Sequence, residues 1–174
     1  MVPLKRELIY IDNNDETDRI ARYYEQGDQL IIVFKGSSKE FAYSKNRAKI
    51  IKTGVSAKNA FDVFNYLKNV ADTAGIIGNE SQNTLLKSYE AITTIPKECV
   101  FSDFLNGTLS KNPTSNTQNV IFPFGFNLSQ QKAVDTAFNN NLSVIEGPPG
   151  TGKTQTILNI IANAVMNGQS VAVV

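Results

Sequence analysis

Eight consecutive residues, Gly147-Pro148-Pro149-Gly150-Thr151-Gly152-Lys153-Thr154, constrain this chain more than any other stretch. They follow a short apolar run, Leu142 to Glu146. They precede a segment in which Ile157, Leu158, Ile160, Ile161, Ala164 and Val165 recur at helical spacing, wide enough in apolar coverage to be buried against a sheet, and Gly168 ends it. Val171-Ala172-Val173-Val174 then reads as a buried parallel strand, so the order strand, loop, helix, strand predicts a βαβ unit. Gly150 and Gly152 let backbone N–H groups turn inward around an anion, and the helix starting near Lys153 adds the positive end of its dipole. The spacing G-x-x-x-x-G-K-[ST] between a strand and a helix predicts a phosphate-binding loop. Lys153 would reach the β- and γ-phosphates of a nucleotide and the Thr154 hydroxyl would hold Mg²⁺, while Pro148-Pro149 stiffens the loop's entry.

Upstream lies Phe126-Asn127-Leu128-Ser129-Gln130-Gln131-Lys132-Ala133-Val134, which places Gln130 23 residues before Lys153. Ser129 can cap a helix carrying Ala133, Val134, Ala137 and Phe138, and Asn139-Asn140-Asn141 breaks it. The Gln130 amide offers an acceptor and a donor pair that can match adenine N6 and N7. Read alone, it is better taken as a polar residue in the first turn of a surface helix, where Gln is common.

Asn-Leu-Ser-Gln-Gln-Lys-Ala-Val, a short turn, Glu-Gly-Pro-Pro-Gly-Thr-Gly-Lys-Thr and the Val-Ala-Val-Val run together resemble the start of the helicase core in superfamily 1 DNA and RNA helicases. The likeness is greatest to the branch that includes the nonsense-mediated-decay helicases. It covers roughly residues 124 to 174 and is absent or vague over the first 118. The resemblance implies a RecA-like P-loop NTPase domain that binds ATP or ADP with Mg²⁺. Gln130 matches the adenine-reading glutamine. Gly147, Pro148, Pro149, Gly150, Thr151, Gly152, Lys153 and Thr154 match the Walker A loop, with Gln155 beside them as a further nucleotide contact. Lys153 and Thr154 take the catalytic roles and Thr154 is the metal ligand. Residues 171–174 match the strand leading to a motif that touches nucleic acid, so single-stranded or duplex nucleic acid is the implied partner.

Such enzymes also use a Walker B Asp-Glu pair, arginines at the γ-phosphate and a second RecA-like domain. The chain is therefore expected to be the N-terminal part of a longer helicase, inactive in hydrolysis alone, with self-association as one way of covering an incomplete sheet. Two other readings stay open. The same loop sequence is typical of AAA-plus ATPases, and residues 1–118 alone could serve as a non-catalytic docking module for protein or nucleic acid.

Composition sets the organisation. Residues 106–119 hold one bulky apolar side chain, Leu109, among turn formers and small polar groups, and read as a linker. It separates an α+β accessory module at 1–105 from the start of the RecA-like domain at 120–174. In the module, Asp15 to Gln26 reads as a helix. Gln29 to Lys35 and Glu40 to Ser44 read as a hairpin, extended by Ala48 to Ile51. Further helices are expected from Ser56 to near Gly75 and from Ser81 to Ile92. Between Lys35 and Lys58 seven basic residues face one acid, Glu40. With Phe41 and Tyr43 interleaved, this face could hold phosphates and stack a base, or it is a solvated hairpin whose aromatics enter a core. The alternating Phe122, Phe124 and Phe126 read as a packing strand. With 17 basic against 16 acidic residues the chain has no global field. It contains no His and one Cys, Cys99, which excludes Ser/His and Cys/His catalysis, a zinc cluster and an internal disulfide, and fits a cytoplasmic protein. No apolar run approaches the about 20 residues that span a bilayer, so no membrane partner is expected.

Overall fold

The structure is a computed structural model that describes residues 3–74, 83–109 and 120–173. The chain divides into two compact units, residues 1–108 and 109–174. Among the described residues they hold small antiparallel sheets and five α-helices, a mixed α/β composition.

In the first unit, β1 (Glu7–Ile11) turns through Asp12 and Asn13 into the two-residue β2 (Asn14–Asp15). Both turn residues have positive φ, 48° and 67°, which Asn and Asp tolerate and which a tight hairpin turn requires. β6 (Ala48–Lys52) pairs antiparallel with the other edge of β1, from Glu7 opposite Lys52 to Ile11 opposite Ala48. A second sheet runs β3 (Ile20–Gln26), β4 (Gln29–Phe34), β5 (Glu40–Ser44), also antiparallel. Ile9, Ile11, Ile20, Leu30, Ile32 and Ala48 from both sheets close one core. The hairpin of β4 and β5 is as the alternation predicts, but Ala48 to Ile51 extends the other sheet instead.

The helix expected over Asp15–Gln26 is a correction: Thr17–Arg19 is one 3₁₀ turn and Ile20–Gln26 is a strand. A register shift between Ile20 and Arg22 interrupts the two-residue alternation. It leaves Ile20 and Tyr23 three apart on the core side, which mimics a helical period in the sequence.

Three helices complete the unit: α1 (Lys58–Thr73), α2 (Thr84–Ala91) and α3 (Val100–Asn106). The expected helix ends at Gly75 and at Ser81 lie outside the described residues. Val55, Ala60, Phe64, Ile95 and Leu105 form a second core, with Phe64 edge-on to Tyr89 at 5.5 Å between ring centres. Gly54 lies between the two cores. A β-carbon there would meet Ser102 Oγ at 2.6 Å, and its backbone donates to Ile95 through N–H and accepts from Asn106 through C=O. Of the expected linker, Asn106 closes α3 and Gly107, φ 68°, caps it; residues 110–119 lie outside the described residues.

In the second unit α4 (Leu128–Asn139) packs against α5 (Lys153–Met166). The strands expected at Leu142–Glu146 and Val171–Val173 do not form, and Val174 lies outside the described residues. A strand exists through ladder bonds to a neighbour about 4.8 Å away, and neither segment belongs to a ladder among the described residues. Val144 and Val173 are 77% and 74% exposed. The βαβ expectation is corrected to two packed helices joined by an irregular segment and the glycine-rich loop.

The face that α5 buries matches the expected one only at Ala164, with Ile160 and Ile161 half-buried. Thr156, Asn159, Asn163 and Ala164 are buried, while Ile157, Leu158 and Val165 are exposed. Nor is 122–126 a strand: Phe122-Pro123-Phe124-Gly125 is a β-turn closed by Gly125 N–H on Phe122 O, with Pro at the position where its fixed φ suits such a turn. Phe122 and Phe126 stack on each other at 4.2 Å, and Phe124 is exposed.

Candidate nucleotide site

The start of α4 is fixed by a reciprocal cap, with Asn127 rather than Ser129 as the capping residue. Asn127 Oδ1 accepts from Gln130 N–H at 2.9 Å, and Gln130 Oε1 accepts from Asn127 N–H at 2.8 Å. Ser129 Oγ supports the cap by donating to Asn127 Oδ1 at 2.7 Å. Gln130 is thereby drawn inward to 7% exposure, and its Nε2 faces Thr151 O, Gly152 O and Gln155 Oε1 at 3.3–3.4 Å. These three contacts are long for N–H···O bonds, so the amide hydrogens are shared and weakly held.

The loop 147–152 carries the turn chemistry its glycines suggest. Gly150 and Gly152 have φ of 83° and 81°. Thr151 Oγ1 donates to Pro148 O at 2.8 Å, which cross-braces the bend. Lys153 opens α5 and folds back, so that its Nζ donates to Gly147 O at 2.5 Å and Pro148 O at 2.8 Å. The ammonium therefore stands at the mouth of the loop, where the first-turn N–H groups of Lys153, Thr154 and Gln155 have no partner within the helix. At two glycines a side chain would displace a neighbouring one. A β-carbon at Gly147 would come within 2.6 Å of Thr151 Oγ1, and one at Gly152 within 2.0 Å of Gln130 Nε2.

Two clefts flank the loop. One, of about 260 Å³, is lined by Gln130, Ala133, Glu146, Gly147, Pro148, Thr151, Lys153 and Thr156, among others. The second, of about 360 Å³, is lined by Phe126, Asn127, Gln130, Gly150, Thr151, Gly152 and Gln155. Gln130 and Thr151 belong to both, so the structure brings Gln130, Gln155 and most of the loop together. Pro149 and Thr154 line neither cleft; Thr154 is exposed in the first turn of α5. Among the described residues no cluster of three or more His, Cys, Asp or Glu could hold a metal.

Two residues of the unit escape a reading by motif. Asn159 Oδ1 accepts from Phe124 N–H at 3.3 Å and Nδ2 donates to Gly125 O at 2.9 Å. Asn163 holds both backbone groups of Ile121, at 2.9 and 2.8 Å. The signal was present as Gln155, Asn159 and Asn163 at four-residue intervals, the last two in an otherwise apolar run from Ile157 to Met166.

The glycine cradle and the lysine define a phosphate-loop segment, and residues 125–172 match the family described as AAA domain. The chain is similar to helicases and to a DNA-binding protein over part of its length. It is 55% identical over 42 residues to an ATP-dependent helicase of Mycoplasma genitalium, 24% of this chain and 4% of that protein. It is 40% identical over 75 residues to DNA-binding protein SMUBP-2 of Mus musculus, 40% of this chain and 7% of that protein. Over 94 residues it is 33% identical to probable helicase MAGATAMA 3 of Arabidopsis thaliana, 49% of this chain and 11% of that protein. The chain thus spans between 4% and 11% of the length of these relatives. No solved structure matches it.

Proposed function

We propose that residues 120–174 supply the adenine and phosphate half of the ATP site in a cytoplasmic, ATP-dependent nucleic-acid helicase. The observation that carries this reading is the position of Lys153 Nζ on the carbonyls of a loop whose Gly150 and Gly152 hold the positive φ of a tight anion-facing bend. A triphosphate needs oriented donors at close approach, and the loop offers a backbone bend, an ammonium and a helix start in one place. Lys153 would exchange its two carbonyl partners for β- and γ-phosphate oxygens. Thr154, exposed in the first turn, would turn its hydroxyl to Mg²⁺, and Gln130 with Gln155 would face the adenine from the cleft beside Phe126. Bound MgATP supplies the phosphoanhydride whose hydrolysis drives a helicase; this chain's residues bind and orient it. In the assembled RecA-like domain, 142–146 and 171–174 act as strands once other strands stand beside them.

The nucleic acid is proposed from the helicase relatives and from the basic residues of the first unit. Lys45, Arg47 and Lys58 are already paired with Glu25, Asp12 and Asp62, which leaves Lys35, Lys39, Lys49 and Lys52 as the exposed contacts. Tyr43, opposite Leu30, packs on the core, while Phe41, opposite Ile32, rests edge-on against Phe34 and stays 40% exposed, so a base could stack on Phe41 alone.

Titration calorimetry with Mg-ADP on the full chain tests the nucleotide site. Binding that Lys153→Ala abolishes supports it, and wild-type binding that survives Lys153→Ala unchanged overturns it.

A further inference from the structure

The loop explains how phosphate would be held, but not what fixes the base-side cleft at a set distance from it. That cleft is walled by Phe126 and Asn127, which belong to the segment leading into α4, and by Gly150, Gly152 and Gln155, which belong to the loop and to α5. The segment 120–127 forms no strand, and a turn at 122–125 bends it. Something other than a sheet must hold it in register.

One face of α5 does so. Gln155 Nε2 donates to Phe124 O at 2.6 Å. One turn on, Asn159 takes Phe124 N–H and gives to Gly125 O. One further turn on, Asn163 takes Ile121 N–H and gives to Ile121 O, and its second amide hydrogen reaches Asn159 O at 2.7 Å. Asn159 and Asn163 are 0% and 2% exposed, and no buried side-chain nitrogen or oxygen among the described residues lacks a partner. Three amides at i, i+4 and i+8 thus read a bent backbone as a neighbouring strand would, with donor and acceptor matched at Phe124-Gly125 and at Ile121. Leucines in these places would bury as well but would fix no register, because apolar contact is not directional.

We propose that Asn159 and Asn163 are positioning residues that lock segment 120–127 to the Walker helix and so set the span between the base and phosphate ends of the nucleotide site. Asn159 and Asn163 line neither cleft, so they act through the segment they hold. Releasing either asparagine lets Phe126 and Asn127 drift from the loop while the loop itself keeps its glycines and Lys153. The inference rests on the nucleotide reading above and predicts a separation that a general loss of stability does not produce: the base end suffers and the phosphate end does not.

The test compares Mg-ADP with Mg-pyrophosphate binding to the full chain by calorimetry, for wild type, Asn159→Ala, Asn163→Ala and Asn163→Ser. The expected result is that ADP affinity falls about tenfold in the asparagine variants, the size of one lost buried hydrogen-bond pair. Pyrophosphate affinity stays within about twofold of wild type. Equal loss of both ligands, or loss of neither, overturns the positioning role. Should the alanine variants not fold, Asn163→Ser, which keeps a polar group in the buried position but loses the paired grip on Ile121, decides by the same ratio. Failure of wild type to bind either ligand overturns the nucleotide reading itself, which separates the two conclusions.

Discussion

Gln130 Nε2 lies 3.3 Å from Gly152 O, and a β-carbon on residue 152 would stand 2.0 Å from the same nitrogen. The first turn of α4 and the last residue of the loop therefore meet at a single amide, backbone against side chain. The residue that begins one helix also shapes the turn that begins the next.

Gly152→Ala is expected to abolish Mg-ADP binding. The methyl group clashes with Gln130, and a non-glycine residue at φ 81° is strained wherever the side chain points. Calorimetry beside far-ultraviolet circular dichroism checks this. Retained helix content with lost binding is the expected pair of results; affinity within about twofold of wild type would show that the loop can reshape around the methyl.

Gln130→Ala removes half of the reciprocal cap and the group lying against 151–152. ADP and pyrophosphate should both weaken, because the loop loses its support, and ADP should weaken more than GDP, because the amide faces the base cleft. The melting temperature should fall as well, since losing a capping interaction costs about 1 kcal/mol. An unchanged ADP-to-GDP ratio would leave Gln130 with the loop alone.

What the sequence made legible here depended on whether an element's partners are local. The loop, α4 and α5 could be read because capping residues, glycines and a 3.6-residue period all lie within their own segments. The strands at 142–146 and 171–173 could not be secured that way, since an apolar run states a wish for neighbours and not their presence. β3 was misread because one bulge changes a two-residue period into a three-residue one between Ile20 and Tyr23. The buried stripe on α5 was hidden by its chemistry: apolar periodicity assigns Asn159 and Asn163 to solvent, and only their backbone partners, about 40 residues upstream, make them interior.

In the first unit Tyr23 donates its hydroxyl to Glu7, and burial together with that bond pushes its pKa up from 10.0 to about 12. The folded state holds this proton more tightly than the unfolded chain. The stability it contributes is complete below pH 10 and is lost as pH rises from about 10 to about 12. Urea midpoints at pH 9 and pH 11.5 should therefore differ more for wild type than for Tyr23→Phe. Equal differences would remove Tyr23 from the alkaline transition; the exposed Tyr24, raised by its bond to Glu40, accounts for part of what remains in the variant.

Nucleic-acid binding by the full chain should weaken with salt, with a slope near −0.7 per phosphate contact on a single strand, or about −3 for four lysines. Changing Lys35, Lys39, Lys49 and Lys52 to Gln should flatten that slope more than changing Lys45 and Arg47. The latter two already face Glu25 and Asp12. Filter binding to a DNA oligonucleotide between 50 and 200 mM salt measures it, and the reverse order would place the contacts on the paired residues.

Gly54 ties together what would otherwise be two small domains. Thr53, next to it, donates to the backbone of Lys5 and Arg6 beside the sheets, and Val55, on its other side, is fully enclosed by the helices. Ser102 presses on the point between them so closely that only hydrogen fits. The chain at 53–55 is thus a shared hinge pin: neither core can open without dragging backbone bonds out of the other. Denaturant should meet residues 3–108 as one foldon with a single midpoint, even though their apolar side chains form two separate clusters.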